Sequence, residues 1–135
     1  MTITANKIRK MYIEYNKLYF DNVLFMPKIS TYTGDTSMGL FIVKEWKNKV
    51  EEGLSIARNF KLTKEEARDL VLHEMIHQYV YEKHGKLNHG REFRKKMREL
   101  NEKYGFDIRK NSKHLFKKYR KKETLLKRFF SFFKN

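Results

Sequence analysis

The residues best suited to chemistry in this chain are His73-Glu74-Met75-Ile76-His77. On an α-helix, residues four positions apart lie on one face, so both imidazoles can bind the same metal ion. Glu74 then lies beside the open coordination position, where a carboxylate can act as a general base. The spacing therefore predicts a site that holds one Zn²⁺ through His73 and His77 and hydrolyses peptide bonds, with Glu74 as its catalytic residue.

A catalytic zinc site usually has three protein ligands, so one more must be found. His89 is the strongest candidate, because it follows a glycine-containing loop and stands at the entrance of the next predicted helix. His84 could bind only if the first helix ended before it, since a continuous helix places it about 10 Å beyond His77. Otherwise we expect His84, like His114, to be a surface histidine. Glu92 and Glu99 are weaker candidates. A lysine follows each of them four residues later, Lys96 and Lys103 respectively, so a helix-surface ion pair would explain each carboxylate.

The helix that carries the first two histidines has a clear start signal. Thr63 can cap its N-terminus, and Glu66, three residues later, can bind the backbone N–H of the cap in return. The apolar residues fall on the side opposite the histidines, and they are Val71, Leu72, Met75, Ile76 and Tyr79. This pattern predicts a helix that buries one face in a core and turns the histidines toward a cleft.

The remaining elements predict an α+β fold. Apolar residues at helical spacing indicate a first helix over about residues 4–20. Three short strands are expected at about 28–33, 38–45 and 50–58, forming a small antiparallel sheet. A further helix is expected from about Arg91 to Tyr104, and Gly105 ends it. The order is thus helix, sheet, zinc helix and following helix.

The length of 135 residues suits one domain, which we place at 1–108, followed by a basic amphipathic helical tail at 109–135. The chain contains no cysteine, so disulfides and thiolate zinc sites are excluded. It has no apolar run long enough for a membrane span and no readable secretory signal. These features predict a cytoplasmic protein, associated with the nucleoid if the source is bacterial.

Positive charge is concentrated in the C-terminal part of the chain. Through residue 84 there are 13 Lys and Arg against 11 Asp and Glu, whereas from residue 85 onward there are 18 against 5. Such asymmetry favours a polyanionic partner, most simply nucleic acid, although a solvated basic surface is the plainer alternative. The candidate nucleic-acid-binding residues all lie in the tail: Lys117, Lys118, Arg120, Lys121, Lys122, Lys127 and Arg128.

Three segments resemble the SprT-like metalloproteases, a family whose eukaryotic members include Spartan. The first is Leu72 to His77, and the second is His89-Gly90-Arg91-Glu92-Phe93, which is similar to the family's His-Gly-x-x-Phe. The third, Leu18 to Leu24, is similar to its Tyr-Phe-Asp-Gly-x-Leu and is weak alone. The resemblance implies a minimal zincin-like protease domain, His89 as third zinc ligand, and proteolysis of proteins bound or crosslinked to DNA. The family's C-terminal zinc ribbon cannot be present here, because cysteine is absent.

Two other functions fit parts of the sequence. One is a zinc peptidase unrelated to DNA, whose tail binds a membrane or a protein. Phe129-Phe130-Ser131-Phe132-Phe133 favours it, because basic amphipathic helices also dock on anionic lipid. The other is a non-catalytic nucleic-acid-binding module with structural histidines, against which the presence of Glu74 argues. For a peptidase, the strand containing Met38-Gly39-Leu40 is a candidate for pairing with substrate main chain.

Overall fold

The computed structural model of the protein describes residues 1–121. The elements follow in the order α1 (Ala5–Tyr19), β1 (Lys28–Tyr32), β2 (Gly39–Trp46), β3 (Lys49–Ala57), α2 (Lys64–His84) and α3 (Arg91–Tyr104). A further helix, α4, is described over 113–121. The α+β class and the order of the predicted elements are therefore confirmed.

Helix α1 packs on the core through residues one turn apart. The Thr4 hydroxyl caps it by accepting a hydrogen bond from the Lys7 backbone N–H at 3.2 Å. Ile8, Tyr12 and Asn16 are its buried residues. The Asn16 amide binds both the backbone N–H and the carbonyl of Leu24, at 3.2 and 3.1 Å. This pair of bonds satisfies a buried polar side chain and fixes the turn between α1 and the sheet.

The three strands form a mixed sheet in the order β1-β3-β2. The predicted sheet was antiparallel throughout, and this is wrong for one pair. β2 and β3 are an antiparallel hairpin, but β1 pairs with β3 in parallel, with Ile29 opposite Leu54. The chain leaves β1, forms β2 at the far edge of the sheet, and returns as β3 between them. Strand periodicity indicates which face is buried but not which strands are neighbours, so this order was not predictable from alternation.

Helix α2 lies over the sheet and supplies much of the core. The predicted cap is confirmed, since the Glu66 N–H donates to the Thr63 hydroxyl at 3.1 Å and the Thr63 N–H donates to the Glu66 carboxylate at 2.8 Å. Val71, Leu72, Met75 and Ile76 are fully buried, as expected. The helix continues through His84, and Gly85 ends it with a left-handed φ of 69°.

The chain beyond α3 also packs against this core. Ile108 and Leu115 are buried, at 2% and 5% exposure. In α4 the ring of Phe116 meets Phe60 edge-on, with ring centroids 5.7 Å apart. Residues 109–121 of the predicted tail therefore contact the domain, and the remainder, including the apolar run at 129–133, lies outside the described residues. The boundary at residue 108 stays a prediction.

Candidate metal centre

Three imidazoles converge beside the middle of α2. His77 Nε2 lies 3.0 Å from His89 Nε2, which in turn lies 3.3 Å from His73 Nε2. Nitrogen ligands about 2.0 to 2.1 Å from a tetrahedral zinc ion are about 3.3 Å apart. These two spacings are close to an edge of a zinc tetrahedron. All three ligand nitrogens lie within 4.8 Å of one another, so the three histidines can hold one metal ion.

The convergence depends on how the chain turns between α2 and α3. His73 and His77 share a face of α2, and the left-handed Gly85 lets the chain reverse immediately after that helix. Asn88 then accepts a hydrogen bond from the Gly90 N–H at 3.0 Å, which shapes the turn bearing His89. Each step is local, yet together they bring a residue sixteen positions after His73 back to it.

Phe93 packs against all three imidazoles. It has no exposed surface, and its ring centroid lies 4.9 Å from that of His73, 4.6 Å from His77 and 4.8 Å from His89. Aromatic rings at these separations pack favourably and restrict the imidazoles' rotation. The Phe of the His-Gly-x-x-Phe segment thus has a direct packing function at the site.

The tautomer of His73 is fixed by the chain that follows α3. Its Nδ1 donates to the backbone carbonyl of Arg109 at 2.6 Å, and because a carbonyl can only accept, the proton must be on Nδ1. The lone pair of Nε2 is then available to a metal ion. Asn101 holds the carbonyl in place, since its amide binds both the N–H and the C=O of the neighbouring Ile108 at 2.9 Å. Such outer contacts orient the ligands of metal sites.

Glu74 lies beside the histidines in a cleft of about 230 Å³. The residue is only 4% exposed, and its Oε2 is 3.9 Å from His73 Nε2. Burial raises the pKa of Glu74 to about 8. Gly39, at the start of β2, gives this carboxylate its space, since a Cβ atom there would lie 2.7 Å from Oε2. The cleft thus presents a desolvated carboxyl group next to the three ligand nitrogens.

The electrostatics of the site keep the ligands uncharged. Burial, with the neighbouring histidines as a smaller cause, lowers the pKa of His77 to about 3. For His73, burial lowers the pKa to about 4 despite the opposing hydrogen bond to Arg109. The pKa of His89 is lowered by burial and by the charge of Lys110. Neutral imidazole is the form that binds metal, so this donor set fits zinc at neutral pH.

A buried polar network secures α2 from behind. Gln78, which follows the second histidine, has no exposed surface. Its amide nitrogen lies 2.6 Å from the Phe25 carbonyl oxygen and 2.8 and 3.0 Å from the carboxylates of Glu52 and Glu82, and these three acceptors share its two hydrogens. Its oxygen accepts from the Tyr12 hydroxyl at 2.6 Å. The network joins α1, the sheet and α2, so it fixes the helix position from which the ligands project.

The alternative ligands lie elsewhere. Because α2 continues through it, His84 is beyond the site, and its Nε2 is 3.4 Å from the Glu92 carboxylate. Glu99 pairs with Lys96 at 3.4 Å. The predicted ion pairs of Glu92 with Lys96 and of Glu99 with Lys103 were therefore wrong. Glu92 lies beside His84 at the end of α2, and Glu99 pairs with the lysine three residues before it. His114 is half-buried rather than a surface residue, and its Nδ1 has no partner among the described residues.

The predicted nucleic-acid residues are only partly described. Lys117, Lys118, Arg120 and Lys121 lie on α4, whereas Lys122, Lys127 and Arg128 lie outside the described residues. Lys118 donates to the Glu66 carboxylate at 2.8 Å, so part of its charge is used within the domain. The assignment of this set to nucleic acid stays a prediction.

Sequence reasoning missed four contributors to the site. Arg109 acts through a backbone carbonyl, for which no residue type is a signal, and Asn101 acts through its neighbour. Gly39 matters through the side chain it lacks. Gln78 alone carried a signal, since a polar residue on the buried side of an amphipathic helix requires a buried partner.

The comparison with protein families agrees with this geometry. The profile of the SprT-like family matches residues 8–114, which is most of the chain. The protein belongs to the SprT-like family. That family is metallopeptidase-like in general, and the matched range includes most of α1, the sheet and all three converging histidines. No individual curated protein matches this sequence. Within residues 1–121, none of the helices has the length and apolar character needed to cross a bilayer.

Proposed function

We propose that this SprT-like protein is a zinc-dependent endopeptidase with a zincin-like site that cleaves proteins bound or crosslinked to DNA. The observation that carries the proposal is the convergence of three Nε2 atoms beside a buried carboxyl group, that of Glu74. A purely structural histidine cluster has no need of a carboxyl group that is desolvated at its open side. Its location would be cytoplasmic, with the nucleoid as the site of action in a bacterium.

In this mechanism His73, His77 and His89 would hold one zinc ion. When bound, that ion would supply Lewis acidity, which lowers the pKa of a water molecule and polarises the carbonyl of the scissile peptide. Glu74 removes a proton from the attacking water and then delivers it to the leaving amine. A pKa near neutrality suits both transfers, because the group must accept a proton and release it in one cycle.

The substrate is proposed to bind along β2. This strand is an edge of the sheet, since β3 lies on one side of it and no strand of the described chain lies on the other. Its first residues, Gly39, Leu40 and Phe41, line the same cleft as Glu74. An extended peptide could add to the free edge by main-chain hydrogen bonds, which gives affinity with little sequence selectivity. That property suits an enzyme that acts on many different proteins.

The test combines metal content with cleavage of a protein substrate, in the presence and absence of single-stranded DNA. Glu74→Gln should retain one zinc ion per chain and lose cleavage by a factor of about 10² to 10⁴, because the proton acceptor is gone. Glu65→Gln is the matched control, since this exposed carboxylate lies at the start of the same helix. Equal cleavage by wild type and Glu74→Gln would refute the mechanism.

The same assay separates the alternatives. Cleavage that DNA does not accelerate would favour a zinc peptidase unrelated to DNA. Binding of DNA without any cleavage by the zinc-loaded wild type would favour a non-catalytic binding module.

A further inference from the structure

Helix α3 carries an exposed row of four cations, Arg91, Arg94, Lys95 and Arg98. Positions i, i+3, i+4 and i+7 lie along one side of a helix. The opposite side of α3 is buried in the core through Phe93 and Leu100. The four residues, which we call the α3 cationic row, therefore face solvent as a group because the helix is fixed by its apolar side.

The charges of the α3 cationic row are not neutralised within residues 1–121. The ion pairs made by this helix are those of Glu92 with His84 and of Lys96 with Glu99, and neither includes a member of the row. The Nε atoms of Arg94 and Arg98 donate to backbone carbonyls one turn earlier, at 3.4 Å. Their terminal guanidinium nitrogens have no acceptor in the described chain. Glu99 and Glu102 line a surface depression with Lys95 and Arg98 but form no ion pair with either within residues 1–121. These two acidic residues lie at the end of the row farther from the metal centre.

The α3 cationic row begins at the metal centre. Arg91 is two residues after His89, and no side chain caps the N-terminus of α3 at Gly90, so the positive end of the helix dipole adds to the row there. The segment after α3 returns alongside it, since Ile108 binds Asn101. The Arg109 carbonyl accepts from His73 at 2.6 Å, so the next residue, Lys110, lies beside the metal centre. Positive charge thus extends from the rim of the cleft outward along α3.

We propose that α3 binds the phosphate backbone of a nucleic acid strand through Arg91, Arg94, Lys95 and Arg98, at a surface that begins at the metal centre. Guanidinium groups bind phosphate oxygens in pairs, and three of the four cations are arginines. The row is about 10 Å long, so it can span about three phosphates of a stacked strand, whose axial rise is about 3.4 Å per nucleotide. A membrane is a poorer fit, because no apolar side chain stands among the cations to enter a lipid layer.

This inference rests on the proposed function and deepens it. A strand held on α3 passes beside His89, so a protein attached to that strand lies next to the cleft containing Glu74. The catalytic domain itself would then select substrates that are on nucleic acid, independently of residues 122–135.

The test measures binding of the full chain to a fluorescein-labelled single-stranded DNA of twenty nucleotides over a series of salt concentrations. The Glu74→Gln background excludes any contribution from cleavage. The test variant replaces Arg91, Arg94, Lys95 and Arg98 with Gln. The control replaces four exposed cations that also lack an ion pair in residues 1–121, and these are Lys10, Lys17, Lys28 and Lys49. Both variants lose four charges, so the difference between them reports position.

For a single strand, each phosphate contact contributes about 0.7 to the slope of log K against log salt concentration. With about three phosphates, the α3 variant should therefore lose about 2 from this slope and bind at least tenfold more weakly, while the control loses less than 1. RNA of equal length should show the same difference. Equal losses in the two variants would overturn the proposal, as would a loss confined to anionic phosphatidylglycerol vesicles. Melting temperature and zinc content verify that both variants are folded.

These outcomes are separable from failure of the proposed function. If wild type cleaves no protein, the peptidase assignment fails while the binding difference can still hold. If cleavage is found but the α3 variant binds DNA like the control, only this inference fails.

Discussion

Gly39 offers a sharp test of the geometry around the proposed base. An alanine Cβ at this position would lie 2.7 Å from Glu74 Oε2 and 3.2 Å from both Cδ and Cγ of that side chain. The van der Waals contact between carbon and oxygen is about 3.3 Å, so the carboxylate would have to move by roughly 0.6 Å. Misplacement of a reacting group by about 1 Å can cost 10²-fold in rate. Gly39→Ala should therefore lower kcat/KM by about 10- to 100-fold.

Gly53→Ala is the matched control, because the added Cβ in β3 would meet only backbone oxygens of Lys28 and Ile42, at 3.9 and 4.0 Å. Activity would be measured with a protein substrate, alongside zinc content and thermal unfolding. We expect Gly39→Ala to retain zinc, since the three atoms nearest the added Cβ all belong to Glu74. We expect Gly53→Ala to resemble wild type. Full activity of Gly39→Ala would show that the position of Glu74 does not limit catalysis. Loss of zinc from that variant would refute the expectation that Gly39→Ala moves Glu74 without disturbing the three histidines.

Three other substitutions test the surroundings of the site. Asn101→Ala removes two partly buried hydrogen bonds to Ile108. It should weaken zinc binding by about 10- to 100-fold in a chelator competition, because it releases the Arg109 carbonyl that orients His73. The pKa of Glu66 is lowered to about 2, because hydrogen bonds from Lys118, the Thr63 N–H and Tyr119 outweigh the opposing effect of burial. Ionised Glu66 thus stabilises the fold above pH 4.5, and this contribution is lost toward pH 2. Denaturant unfolding should therefore show a lower free energy of unfolding for Glu66→Gln than for wild type at pH 7, and the two values should converge in acid. The pKa of Glu82 is shifted in the opposite direction, since burial and Glu52 raise it to about 7. Ionisation of Glu82 therefore destabilises the fold, so Glu82→Gln should be more stable than wild type at pH 8 but not at pH 4.

The fold was largely predictable because its signals are local. The Thr63 and Glu66 cap, the Gly105 stop and the change from helical to alternating periodicity each depend on neighbouring residues. The sheet order was not, because the parallel pairing of β1 with β3 joins residues 25 positions apart, such as Ile29 and Leu54. Pairing of this kind is decided by the packing of the whole domain.

The candidate site divides in the same way. Helical spacing predicts that His73, Glu74 and His77 lie together. The loop before the next helix is short, which limits how far His89 can lie from them. The contacts that hold these residues in place join distant parts of the chain. The Arg109 carbonyl, for example, accepts a hydrogen bond from His73 over a separation of 36 residues. Backbone groups and the absence of a side chain at Gly39 leave no signal in residue type.

The position of Arg109 also determines where the domain can be divided. A truncation near Tyr104 would remove a basic tail, but it would also remove the carbonyl that fixes His73 and the buried Ile108 and Leu115. Loss of activity after such a truncation would therefore not show that the tail recruits substrate. Deletion after residue 121 preserves each of these contacts together with the bond between Lys118 and Glu66. Only that deletion compares the contribution of residues 122–135 with that of the α3 cationic row, because the metal centre is then the same in both proteins.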